Sequence, residues 1–142
     1  MYGNIFIDRK DVKMLDGFEV INVTKGVPTL TLSKNGLAFN KYAIEKMHKT
    51  RYAIPLIDKS RGRFAIVESD TGDGSSLDFL KDSKKLSDGV RWNNRELKNI
   101  IGDLMKCDID NYFLKIEGHY SDADRALIFN LHEAKEYERR KR

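Results

Sequence analysis

The run Gly36-Leu37-Ala38-Phe39-Asn40 returns later in the chain as Gly89-Val90-Arg91-Trp92-Asn93. Each copy reads glycine, short strand, large aromatic, asparagine, and each precedes a run with helical spacing of apolar residues. Around the first copy, Thr29-Leu30-Thr31-Leu32 alternates as a half-buried strand does. Ser33-Lys34-Asn35-Gly36 is turn chemistry, and Asn40 is placed to cap a helix over 41–47 whose apolar stripe is Ala43, Ile44 and Met47. A hairpin follows, with arms 52–57 and 63–69 and the turn Asp58-Lys59-Ser60-Arg61-Gly62. Around the second copy, Asn93 or Asn94 caps a helix carrying Leu97, Ile100, Ile101, Leu104 and Met105. The strand 112–116 matches the one from Tyr52, Ser121-Asp122-Ala123-Asp124 matches the hairpin turn, and 125–129 matches 63–67.

A unit of this kind cannot cover both faces of its few strands, so packing one copy on the other is the direct solution. The expected class is α+β: two β-α-β-β units packed as a small, mostly antiparallel sheet or partly open barrel with flanking helices. A chain of 142 residues fits one domain over 1–142. Its divisions are unit one at about 29–69, an acidic linker at about 70–88, unit two at about 89–134 and a charged tail at 135–142 that frays as a helix end or arm. Two further strands are expected near the start, at 4–7 and through Phe18, Val20, Ile21 and Val23, and a short amphipathic piece at 77–86.

With 40% hydrophobic and 34% charged residues the chain has enough apolar material to fold while keeping a charged surface. The single Cys107 excludes an internal disulfide framework and fits a reducing compartment. The opening MYGNIFIDRK has neither the basic start nor the apolar core of a signal peptide. No apolar run approaches the roughly 20 residues of a membrane helix. A cytoplasmic protein without membrane contact is the expectation.

Charge distribution says more than the net +4. Between 34 and 63 stand Lys34, Lys41, Lys46, Lys49, Arg51, Lys59, Arg61 and Arg63, opposed only by Glu45 and Asp58. Carboxylates follow at Glu68, Asp70, Asp73, Asp78, Asp82 and Asp88. Phosphate binding needs several cations on one face, and the first segment supplies them on a helix and two turns. Trp92, Asn93, Asn94 and Arg95 form a second cluster: an indole that can stack on a base, beside groups that can read its edge. The duller account makes Trp92 the core counterpart of Phe39 and one asparagine a cap, and the repeat favours it. The tyrosines at 42, 52, 112, 120 and 137 each have a ring to bury and a hydroxyl to keep wet.

The carriers LTLSKNGLAFNKYAIEKM and YAIPLIDKSRGRFAIVES resemble, in their order of strand, turn, strand, capped helix and hairpin, the swapped-hairpin domains of AbrB-like and MazE-like bacterial regulators. The duplicated layout resembles the pseudobarrel of plant B3-type and some restriction-enzyme effector domains. Two positions depart from the family pattern: Asn40 replaces a proline before the helix, and His48-Lys49-Thr50-Arg51 replaces a Gly-Asp turn after it. The resemblance implies DNA binding through early strands and loops, and by position it implicates Lys34, Asn35 and Lys41.

No catalytic constellation emerges. His48, His119 and His132 lack metal-ligand spacing, and nothing local pairs Cys107 with a histidine. Asp108, Asp110 and Glu117 with Lys115 only loosely match a magnesium-nuclease arrangement, and Asp70-Asp73-Gly74-Ser75 lacks the later glutamate of a calcium loop. The expectation is a non-enzymatic nucleic-acid-binding regulator without cofactor, its partner DNA before RNA, and a homodimer if half-sites mirror it. Its candidate contacts are Lys34, Asn35, Lys41, Lys46, Lys49, Arg51, Arg61, Arg63, Trp92, Asn94 and Arg95. The alternative is a phage or mobile-element inhibitor of a nucleoprotein complex, of anti-CRISPR or antirestriction type. A metal-dependent nuclease comes third.

Overall fold

A computed structural model describes residues 16–18, 26–80 and 89–139. The strand expected at 4–7, nearly all of the second early strand, most of the 77–86 piece and the last three residues lie outside it. The described chain is α+β and mostly sheet: a curled antiparallel half-barrel with two helices. Its strands are β1 (Thr29–Ser33), β2 (Gly36–Phe39), β3 (Tyr52–Asp58), β4 (Arg63–Ser69), β5 (Leu77–Asp78), β6 (Val90–Trp92), β7 (Tyr112–Ser121), β8 (Ala126–Asn130) and β9 (Lys135–Glu138). The helices are α1 (Lys41–Lys46) and α2 (Arg95–Met105). Across the sheet the strands run β5-β3-β4-β8-β7-β1-β2-β6, with β9 beside β7.

Local chemistry sets most of these boundaries. Asn40 joins three elements at once. Its Oδ1 accepts from the Ala43 amide (3.0 Å) and the Thr29 amide (3.0 Å), and its Nδ2 donates to the Val27 carbonyl (2.8 Å). The cap therefore starts α1 and also anchors the entrance to β1. Asn94, not Asn93, caps α2, accepting from the Leu97 amide at 3.0 Å. Pro55 lies on β3 beyond the short pairing with β5, where a missing amide disturbs no ladder among the described residues.

The two matched pentapeptides pair with each other. β2 and β6 lie antiparallel with Leu37 opposite Trp92, Ala38 opposite Arg91 and Phe39 opposite Val90. At one corner Gly36 holds φ +118°, and a Cβ there would stand 2.2 Å from the Trp92 carbonyl oxygen. At the other, Gly89 holds φ +82°, with the Phe39 carbonyl oxygen 2.2 Å from the corresponding position. Both glycines are thus required twice, by backbone conformation and by contact.

Beneath this pair sits the core. Phe39 meets Trp92 edge-on at 5.0 Å, Phe79 at 5.3 Å and Phe129 at 6.0 Å between ring centroids. Leu30, Leu32, Ile44, Ile66, Ile101 and Ile116 fill the space around them. Each such side chain contributes about 1.5–3 kcal/mol when fully buried.

Two segments differ from expectation. Part of the 135–142 tail is sheet: β9 pairs with the start of β7, Phe113 opposite Tyr137, and the two rings stack at 5.3 Å. Local charge density hid this strand, because its pairing is supplied by a segment twenty or more residues earlier. Within the stretch expected as a linker, Leu77–Asp78 pairs with β3 and Phe79 is fully buried.

Gly36→Ala and Gly89→Ala each lose about 3 kcal/mol or more, since the strained φ alone costs roughly 1–3 kcal/mol and the carbonyl contact adds to it. Gly74→Ala, with φ +63° but nothing within 4 Å, pays only the conformational part. Urea denaturation of the three variants checks the order.

Candidate nucleic-acid interface

The β1–β2 turn presents Lys34 and Asn35, both exposed. Because β6 pairs with β2, the first turn of α2 is delivered beside that turn. Lys34, Asn35, Gly36, Asn93, Arg95 and Lys98 then surround an open pocket of about 270 Å³. Lys98 Nζ donates to the Lys34 carbonyl at 3.3 Å, tying helix to turn. The lining holds three cations, two carboxamides and no carboxylate. Lys98 was not among the sequence candidates. Its signal was its position one helical turn after Arg95, which puts both on one face.

The other candidates do not join this corner. Trp92 is corrected to a core residue: it is 3% exposed, and its Nε1 donates to the Phe79 carbonyl at 3.2 Å. Asn94 is half-buried, and its side-chain oxygen is taken by the helix cap. Arg51 reaches Asp78 at 3.3 Å and lies 5.6 Å from the Tyr52 ring centre. Arg63 and Arg61 approach Asp58 at 3.1 and 4.0 Å. The Arg63 hydrogen bond, with those from Ser60 and the Arg61 amide, lowers the Asp58 carboxyl to about 2.

The lysines of α1 occupy yet another place. Lys41 stands over the Tyr42 ring at 5.0 Å. Lys46 lines a pocket shared with Glu45, His48, Tyr120 and Asp122, so it faces the β7–β8 turn and two carboxylates. Lys49 is exposed just beyond, at φ +52°. The β3–β4 turn instead packs against the far end of α2, where Lys59 and Ser60 line a pocket with Leu104 and Met105. That is about 15 Å along the helix axis from Arg95. The basic residues of 34–63 are thus distributed over four places: the corner with Lys34, α1 and its end with Lys41, Lys46 and Lys49, Asp78 with Arg51, and the β3–β4 turn with Lys59, Arg61 and Arg63.

A second polar cluster was invisible in the sequence because its members stand at 48, 68, 120 and 125. The Glu68 side chain is only 5% exposed. The Tyr120 hydroxyl donates to its Oε2, His48 Nδ1 lies 3.0 Å from the same oxygen, and an Arg125 nitrogen lies 3.6 Å from Oε1. Burial pushes the Glu68 carboxyl up, but the hydrogen bonds from Tyr120 and His48 and the charges of His48 and Arg125 outweigh it and hold it below its ordinary value. Burial and the adjoining carboxylate push the Tyr120 hydroxyl up to about 12. The cluster fastens the end of α1 to the β4 and β7 edges. Of the acidic nuclease-like group, Asp108 is spent on its own turn, accepting from the Asp110 amide (3.2 Å) and Asn111 Nδ2 (2.7 Å). Among the described residues no three His, Cys, Asp or Glu side chains converge as a metal set, and no helix is long and apolar enough to cross a membrane.

Comparison with protein-family models, with curated proteins and with solved structures finds no match for this chain.

A lowered Glu68 carboxyl stabilises the fold above its unfolded value of about 4.3, and the contribution is lost as pH falls through the folded value. Glu68→Gln is therefore expected to cost about 1–3 kcal/mol near neutrality and progressively less below about pH 4. Denaturation midpoints of wild type and variant across that range converge in acid if this is right, and stay parallel if the cluster is inert.

Proposed function

We propose that this chain is a nucleic-acid-binding regulatory protein that holds phosphates at the corner between the β1–β2 turn and the first turn of α2. One observation carries the reading: Lys34, Arg95 and Lys98 line one carboxylate-free pocket with Asn35 and Asn93, while arginines elsewhere in the basic segment lie against Asp58 and Asp78. Cations without a nearby carboxylate keep the potential that attracts phosphate, and each phosphate neutralised releases condensed counterions. The carboxamides can donate to phosphate oxygens or to base edges.

The same proposal takes the chain as two β-α-β-β units, about 29–69 and 89–134, related by an approximate two-fold. Reciprocal registers support it. In the β2–β6 pair, Leu37 faces Trp92 and Phe39 faces Val90, an arrangement unchanged when the copies are exchanged. In the β4–β8 pair, Phe64 faces Phe129 and Val67 faces Ala126, unchanged by the same exchange. β1 of the first unit pairs with β7 of the second, and β5, from the stretch that joins the units, pairs with β3 of the first. The proposal thereby sets the chain beside the swapped-hairpin and pseudobarrel DNA-binding domains that its sequence resembles. A covalent pair of units then supplies the symmetry that a homodimer of single units would otherwise provide.

Binding of fluorescein-labelled duplex DNA, followed by anisotropy in rising salt, tests the proposal. The triple variant Lys34→Ala, Arg95→Ala, Lys98→Ala reduces the slope of log affinity against log salt by about 2 to 3. The matched triple variant Lys59→Ala, Arg61→Ala, Arg63→Ala, at the β3–β4 turn beside Asp58, changes the slope by less than about one. Undetectable binding at low ionic strength, or equal effects of the two variants, rejects the assignment.

A further inference from the structure

We infer that the solvent face of β6-β2-β1-β7-β9 is a binding surface for single-stranded nucleic acid, with the Phe113–Tyr137 pair as its base-stacking platform. The inference rests on the nucleic-acid reading above and names the form of ligand that this side of the molecule takes.

Register places the parts. One row crosses five strands through Arg91, Ala38, Thr31, Lys115 and Lys135. Alternation puts its side chains outward, since Leu30, Leu32, Leu37, Phe39, Leu114 and Ile116 between them are buried. In the adjoining row Gly36 pairs with Ser33 and Phe113 pairs with Tyr137. The centre is floored by glycine, alanine, serine and threonine, which lets a backbone lie close. At one end stands the corner of Lys34, Arg95 and Lys98. At the other, Lys115 Nζ sits 5.5 Å from the Tyr137 ring centre and 5.9 Å from that of Phe113. Two strand spacings of about 4.8 Å separate the β1–β2 turn from the Phe113–Tyr137 pair, roughly 10 Å, a span suited to one or two nucleotides.

The aromatic end is what selects a single strand. The rings lie 17° from parallel at 5.3 Å, and Tyr137 is 42% exposed, one of few large hydrophobic side chains so open among the described residues. An exposed face of a stacked pair, with a cation beside it, can accept an unpaired base, whereas bases in a duplex are already stacked. Lys115, Lys135 and Tyr137 share a pocket of about 310 Å³ with Thr29, Glu117 and Glu133. With two carboxylates beside its two lysines, this end offers a ring to a base rather than a site to a phosphate, and the phosphates fall to the corner of Lys34, Arg95 and Lys98.

The test uses the full chain and three labelled probes: oligo(dT), an abasic strand of equal length and duplex DNA. Oligo(dT) should bind more tightly than the abasic strand. Tyr137→Ala should weaken oligo(dT) roughly tenfold or more and leave the abasic strand and duplex unchanged, while Tyr137→Phe, which keeps the ring, retains binding. Because the ring also helps hold β9, a second measurement on the wild type is needed: a bromodeoxyuridine-substituted strand should photocrosslink to the peptide containing Tyr137. Duplex binding without oligo(dT) binding, no effect of Tyr137→Ala, or crosslinks confined to other peptides overturns this inference alone. Failure to bind all three probes at low salt overturns the nucleic-acid reading with it.

Discussion

The β2–β6 strand pair is the constraint on which the rest of the molecule depends. Two backbones approach there so closely that Gly36 and Gly89 each lie against a carbonyl oxygen of the facing strand. The inward side chains of the same strands, Phe39 and Trp92, begin the aromatic core. Each strand also leads into a capped helix, through Asn40 to α1 and through Asn93 and Asn94 to α2. Strand pairing, core packing and helix placement are therefore coupled in a few residues, and weakening any one loosens the other two.

That coupling has an electrostatic consequence. The turn carrying Lys34 and the helix carrying Arg95 and Lys98 lie sixty residues apart in sequence, so local composition gives no sign that they meet. Local composition suggests a basic surface over 34–63, and three of its eight cations lie against carboxylates. Asp58 ends β3 and collects Arg61 and Arg63, while β5 brings Asp78 to Arg51. Exposed ion pairs contribute little to stability, typically under about 1 kcal/mol. Their larger effect here is on the field, because a neutralised arginine no longer attracts a distant phosphate.

Wherever a few neighbouring residues determine an element, it was readable from the sequence. The Asn40 cap, the Ser33–Gly36 turn, both arms of the 52–69 hairpin and the helix after Trp92 follow from propensity, capping and alternation, and the structure has them. What depended on distant partners was not readable. β9 is a run of charged residues and one tyrosine that becomes a strand only because β7 offers an edge. The cap of α2 falls on Asn94 and not its neighbour, one residue later than the position that matches Asn40 in the first copy. The Glu68 cluster draws on three separate elements, so nothing along the chain announces it. Of the candidate contacts, Lys34, Asn35 and Arg95 come together, and Lys98, absent from them, completes the group.

The two ends of the outer sheet face differ in a way that follows from how each is held. The corner at α2 is built on a turn and a helix start locked by β2 and β6, so its cations have a fixed spacing. The aromatic end stands on β9, whose four residues are all exposed and whose ring is held chiefly by the stack on Phe113. Rigid cations suit a backbone whose phosphate spacing is regular, whereas a more adaptable ring suits bases that differ in size. On the reading proposed above, a surface of that construction would discriminate between nucleic acids by strandedness before sequence, since stacking is open to every base and the carboxamides of the corner are Asn35 and Asn93.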